Sequence, residues 1–169
     1  MKKIISTMLV VAAAATLFTS CSKDDETSDV RTQAVGAYVI ATQTYFIAAD
    51  GSLVTGSNGE DLDFDAVEIK KGNSATEINI YNSEGDLFLI GSSVKEVQQG
   101  FVFNINTQTY DDVTFEGYPY FTLTTGESYD ALFTASDKTF DFSLVIDVDG
   151  NGEISEGDTV MVFSGAKVE

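Results

Sequence analysis

The stretch Thr139-Phe140-Asp141-Phe142-Ser143-Leu144-Val145-Ile146 decides how this chain is read. Phe140, Phe142, Leu144 and Ile146 recur at a period of two, which places four large apolar side chains on one face of an extended strand. The same period extends outward through the sequence, at Val67 and Ile69, at Ile78 and Ile80, and at Phe101, Phe103 and Ile105. Turn formers separate these runs. Asp50-Gly51, Lys71-Gly72-Asn73, Asn82-Ser83-Glu84-Gly85-Asp86, Gln99-Gly100 and Ser136-Asp137-Lys138 each suit a reversal that needs positive φ or an Asx turn. The pattern predicts strands at 36–48, 52–55, 66–71, 76–81, 87–97, 100–107, 113–116, 119–124, 128–135, 139–146 and 159–165, with breaks about every eight to twelve residues. Some of these strands merge or drop out, leaving about 8–10 hairpinned in sequence, which predicts a single all-β domain over residues 36–169. An antiparallel up-and-down β-barrel is the first expectation, because closure removes exposed edges, and a two-sheet β-sandwich is the alternative.

Upstream of that domain the chain changes character. Lys2 and Lys3 form a basic tip, Ile4 to Phe18 an apolar run too short for a membrane span, and small residues precede Cys21, so residues 1–20 read as an export signal. Residues 21–35 are polar, acidic and aperiodic, and read as a flexible tether. Cys21 is the only cysteine, so no internal disulfide is open to an exported chain of this sequence. The formal charge is −18 with 27 acidic residues. Without the two leader lysines, seven basic residues remain against those 27 acids, a formal charge of −20. Such a field repels nucleic acid and anionic headgroups and favours cations as partners.

Leu17-Phe18-Thr19-Ser20-Cys21 resembles a bacterial lipoprotein signal, which implies that Cys21 becomes a lipidated first residue. Ser22-Lys23-Asp24-Asp25-Glu26 resembles the surface-export tag of lipoproteins from the Bacteroidota. Two or three acyl chains, at roughly 0.8 kcal/mol per buried methylene, exceed what durable anchoring needs. The implied address is the outer membrane, lipid-anchored and facing the cell surface, with a periplasm-facing anchor as the alternative. Gly36-Ala37-Tyr38 and Val160-Met161-Val162-Phe163-Ser164-Gly165-Ala166-Lys167 resemble the opening and closing strands of lipocalin-like, or calycin-like, lipoproteins of that group, which adds to the expectation of a barrel.

One internal segment carries its own chemistry. Asp147-Val148-Asp149-Gly150-Asn151-Gly152-Glu153-Ile154-Ser155-Glu156-Gly157-Asp158 is similar to the calcium loop of the EF-hand and dockerin families at Asp147, Asp149, Asn151, Gly152, Ile154 and Asp158. A hard cation wants about six to eight oxygens, and carboxylates at odd positions around a tightly turning glycine deliver them from one loop. The resemblance implies structural Ca2+ held by side-chain oxygens of Asp147, Asp149 and Asn151, the Glu153 carbonyl, Ser155 directly or through water, and Asp158. The flanks read as strands, whereas the family has helices there. The same residues also read as a solvated acidic hairpin loop turning at Asn151-Gly152.

No histidine occurs, which removes the commonest general base and the Ser-His-Asp arrangement. The pairs Asp61/Asp63, Asp111/Asp112 and Asp147/Asp149 are what a chain with 27 acids produces by composition. An enzyme is therefore not expected. Tyr110, Phe115, Tyr118, Tyr120 and Phe121 cluster around Pro119; the first four are candidate ligand contacts, and core packing accounts for the same residues. The functional expectation is a non-enzymatic lipocalin-like binding module for a small apolar or glycan-type ligand. The alternative is a calcium-stabilised surface interaction or adhesion module of sandwich type, for which a filled core and an exposed aromatic patch would be the distinguishing observation.

Overall fold

The computed structural model describes residues 29–56, 65–110, 113–148 and 150–168. Among the described residues a short 3-10 turn over Val30–Gln33 leads into thirteen strands. They are β1 (Gly36–Ile47), β2 (Leu53–Thr55), β3 (Ala66–Lys71), β4 (Ile78–Asn82), β5 (Leu87–Val97), β6 (Gly100–Ile105), β7 (Gln108–Tyr110), β8 (Val113–Gly117), β9 (Phe121–Thr122), β10 (Ser128–Tyr129), β11 (Ala131–Thr134), β12 (Thr139–Ile146) and β13 (Thr159–Lys167).

Eight of these close a barrel. The wall runs β1-β3-β4-β5-β6-β11-β12-β13 and returns to β1, every neighbour antiparallel. Each wall strand pairs with the next wall strand in the chain, and β13 pairs with β1 from Tyr38↔Lys167 to Phe46↔Thr159. This is an up-and-down barrel rather than a two-sheet sandwich, and it is compatible with a lipocalin-like fold.

The interior is packed with rings. Phe142 and Phe163, opposite each other on β12 and β13, stack with centroids 4.5 Å apart and planes within 9°. Phe140 lies 5.3 Å from Phe142 and 5.7 Å from Phe103, and Phe101 stacks on Phe133 at 5.2 Å. At the other end Phe88 meets Phe115 at 5.3 Å. Each of these rings is at most 1% exposed, so alternate positions on every wall strand fill the barrel instead of lining a lumen. Gly91 makes room for this filling, because a Cβ there would collide with the Phe103 ring and with Ile78.

Asp29 to Val35 differ from the tether that composition suggests. Ala34 is fully buried and Val30 packs on the core. Arg31, 6% exposed, donates from Nε and Nη2 to the Asp29 carboxylate at 2.9 and 2.7 Å, and from Nη1 to the carbonyls of Glu77, at 2.6 Å, and Ser74. The ordered unit thus starts at least seven residues before the periodic pattern does. The guanidinium holds the Asp29 carboxyl well below the usual carboxylate range, with Lys71 assisting at 3.3 Å. The hydroxyl of Tyr38 donates to the Ala34 carbonyl at 2.8 Å, so the turn closes that end of the barrel from inside and outside at once.

One seam of the wall is shared. β12 pairs with β11 over Thr139–Phe142 and with β8 over Leu144–Ile146, on the same edge. Asp130, between β10 and β11, fills the junction: its N–H donates to the Phe103 carbonyl, its carbonyl accepts from Ser143 N–H at 2.9 Å, and its Oδ2 accepts from Ile105 N–H at 2.8 Å. This residue interrupts what the sequence predicts as one strand from 128 to 135. Gly117 is tolerated opposite it because any Cβ would strike the Asp130 carboxylate.

Burial raises the Asp130 pKa, the Ile105 N–H opposes that, and the neighbouring Glu116 charge adds to it. A raised carboxyl contributes most below its unfolded pKa and loses that contribution as pH rises through the folded value. Asp130→Asn keeps an acceptor for Ile105 N–H and removes the buried charge. It is expected to raise the melting temperature at pH 7, with the difference disappearing below about pH 4, where both forms are neutral; thermal melts across that range would show it.

Candidate functional site

The two ends of the barrel differ in chemistry. The end closed by the 3-10 turn carries a cleft of about 230 Å³ among Val30, Gln33, the turn Glu96–Gly100 and Ser136. The opposite end carries the acidic loop between β12 and β13. There a recess of about 110 Å³ lies between the loop and β8, bordered by Thr107, Glu116, Asp147, Glu153, Ile154 and Asp158.

The loop is organised by its own carboxylates. Asp147 Oδ1 accepts from the N–H groups of Gly150, at 2.7 Å, and Asn151, while Oδ2 accepts from Gly152 N–H at 2.7 Å. Asn151 Oδ1 accepts from Glu153 N–H at 2.6 Å. Gly150 and Gly152 hold φ of 69° and 79°, the left-handed region that a tight wrap around a centre needs. Asp158 is fully buried at the end of the loop, where Oδ1 accepts from Val148 N–H at 3.0 Å and Oδ2 from Ser155 N–H at 2.6 Å. Ile47 pins the loop base by donating to the Asp158 carbonyl and accepting from Gly157 N–H.

Asp147, Asn151, Ser155 and Asp158 stand in this one loop, Ser155 linking Asn151 to Asp158, and Glu153 is exposed at the border of the recess. Asp149 falls outside the described residues. Among the described residues no three acidic or cysteine side chains stand at metal-binding spacing. Asp147, Asn151, Ser155 and Asp158 carry hard oxygens of the kind Ca2+ prefers, and the carboxylate oxygens of Asp147 and Asp158 each accept from backbone N–H groups. The loop also closes on N–H donors alone, so its shape does not require the ion.

Three of the aromatic candidates, Phe115, Tyr118 and Tyr120, fall in different surroundings. Phe115 is buried in the barrel, against Phe88. Tyr118 is on the outside, packed with Tyr45 over Val145 and Val160. Tyr120, 40% exposed, holds its backbone N–H on the Tyr129 carbonyl at 2.9 Å. Burial raises the pKa of Tyr120, and the Asp141 charge adds to the shift. Burial likewise raises that of Asp141, against the Ser164 hydroxyl. The side chain of Tyr110, and Cys21 with the rest of the leader, lie outside the described residues. Sequence reading misses Tyr45 and Gln43, whose hydroxyl and amide are joined at 2.9 Å on the outer wall. The signal is present in the alternation of β1, which turns Gln43 and Tyr45 away from the core side taken by Tyr38 and Ile40.

No family model matches the chain, no curated protein matches it in sequence, and no solved structure matches it in fold.

Calcium titrated into the chelator-treated chain is expected to bind with one-to-one stoichiometry by calorimetry. At a hundredfold excess over Kd, mass action adds about 2.7 kcal/mol, or roughly 5–10 °C of melting temperature for a domain this size. Asp147→Ala, which leaves three loop N–H groups without their acceptor, should abolish both effects; heat or stabilisation surviving that substitution would place the ion elsewhere.

Proposed function

We propose that this chain is a lipid-anchored, non-enzymatic interaction module at the outer membrane that binds with the outside of its barrel, its acidic loop steadied by Ca2+. The observation that carries this reading is the filled interior. A lipocalin-type ligand of even modest size would need several rings displaced, and deleting one buried Phe contact set alone costs about 3–5 kcal/mol. Recognition at the outer wall and rims needs no such displacement.

The anchor rests on the leader and Cys21, and the surface address on the lysine-and-acid run that follows it. The non-enzymatic reading is supported by a sequence without histidine and with its one cysteine committed to lipid. An acidic exterior suits cationic or neutral partners and disfavours nucleic acid.

The test is an apolar probe of the interior. A fluorescent long-chain fatty acid titrated into the full chain should give no saturable one-to-one signal. Stoichiometric binding that weakens when interior Phe142 is replaced by Trp would instead support an enclosed ligand and overturn the outer-surface reading.

A further inference from the structure

We infer that the barrel lies against the bilayer that holds its anchor, touching it with the side of the wall where β1 begins and β13 ends; this deepens the lipid-anchored reading above and rests on it. The contact is a cluster of apolar side chains left in solvent. Val39, 59% exposed, and Val168, 52% exposed, are the two most exposed large apolar residues among those described, and Val35 is 38% exposed just ahead of β1. Register joins them. Val39 pairs with Ala166 on β13 and with Ala66 on β3, and Val168 N–H donates to the Ala37 carbonyl at 2.8 Å. Paired residues face the same side of a sheet, and Ala37 and Ala166 are exposed as Val39 is. Ala37, Val39, Ala66, Ala166 and Val168 thus make one outward patch, with Val35 leading into it. At its margins Glu68, opposite Ala37, is bound by Lys70 at 2.8 Å, and Asp141, opposite Ser164, marks where the patch stops.

Two observations name a bilayer as the occupant. The first is the reach of the tether. Cys21 lies eight residue steps before Asp29, the first described residue, so even a fully extended chain puts the start of the 3-10 turn no more than about 29 Å from the lipid. That turn is tied to the patch, since Lys167, next to Val168, donates to the Gln33 carbonyl at 3.0 Å. The twelve residues of β1 rise about 30 Å at an ordinary barrel tilt. Presenting the opposite end to lipid would therefore draw the tether out to its limit, whereas the patch is reached with slack. The second is the partition of charge. All six basic residues of the described chain, Arg31, Lys70, Lys71, Lys95, Lys138 and Lys167, lie in the 3-10 turn or in the strand ends and turn at that end. Around them stand Asp29, Glu68, Glu77, Glu96, Asp137 and Asp141, with Glu127 paired to Lys95, so this end is close to neutral. The β1–β2, β4–β5 and β12–β13 connections carry acids without a basic residue, among them Asp50, Glu84, Asp86, Asp147, Glu153 and Asp158. The net charge of −18 thus gathers at the end away from the tether, and a lipid surface meets the balanced end at lower electrostatic cost.

Cys21 is the only cysteine, so once it is lipidated a cysteine introduced elsewhere is the sole free thiol and takes a nitroxide label. Full chains carrying V39C, V168C or, in the β4–β5 turn, S83C would be expressed with their leader, checked by mass for acyl chains on Cys21, and reconstituted into phosphatidylethanolamine–phosphatidylglycerol vesicles. Oxygen, which concentrates in lipid, and a nickel chelate, which stays in water, then compete to relax each label. The labels at 39 and 168 are expected to favour oxygen over nickel several-fold more than the label at 83. Adding V35D and A166D to the V39C chain should return its label to water, with an unchanged melting temperature. Labels at 39 and 168 as open to nickel as that at 83, in chains that carry their acyl groups, overturn the docking and leave the anchored reading standing. Spin–spin broadening at 39 that persists in detergent, the sign of a second copy seated on the patch, overturns it too. A Cys21 without acyl chains overturns the anchored reading, and the docking with it.

Discussion

The stack of Phe142 on Phe163 is the contact on which the rest of this molecule depends. The two residues are direct partners on the last hairpin, and that hairpin is what joins the end of the chain to its beginning through β1. From the stack, ring contacts run through Phe140 and Phe103 toward Phe101 and Phe133 on the far side of the wall. Closure leaves the eight wall strands without a free edge of their own, the short β2 and β7 apart from them, and the stacked aromatic core leaves no lumen to fill. Whatever this chain recognises must then be met outside, and the outer features acquire their importance from that exclusion.

The exclusion also explains why the wall is uneven. An eight-strand barrel filled with rings needs local relief, which appears as Gly91 under Phe103 and as the divided seam where Asp130 ties β6, β11 and β12 together. At one end the relief is sealed by the 3-10 turn with buried Arg31, and at the other by the loop gathered on Asp147 and Asp158. Both seals work by the same chemistry, in which charged side chains gather backbone polar groups that would otherwise be left without partners. The broad outer wall of β1, β12 and β13 is free of such duties, and there the tyrosines stand.

Much of the wall was legible before any coordinates. Period-two alternation over Phe140–Ile146 and Phe101–Ile105 marks strands with one face committed to a core, and glycine, asparagine and aspartate mark the reversals; the observed strands follow these closely. The stretches that were not legible are those ruled by distant partners. Arg31 reads as part of a polar tether, since nothing local tells that its guanidinium will meet the carbonyls of Ser74 and Glu77. Gln108–Tyr110 is too short to show a period. The split at Asp130 depends on Ile105, 25 residues earlier. For the candidate sites, the acidic loop was visible as a spacing, because its carboxylates and amide lie within one short segment of the chain. The tyrosine wall was visible only in part, because Tyr45 and Tyr118 are joined by closure of the barrel and not by proximity in the chain.

The claim that the barrel is filled can be tested without knowing any ligand. Crystals of the full chain pressurised with xenon would reveal interior space directly, since the gas enters dry apolar cavities and scatters strongly. The account predicts no xenon among the rings of Phe103, Phe140, Phe142 and Phe163. A well-occupied xenon site at that position would mean a chamber where this account places packed side chains, and would return the search for a ligand to the inside of the barrel.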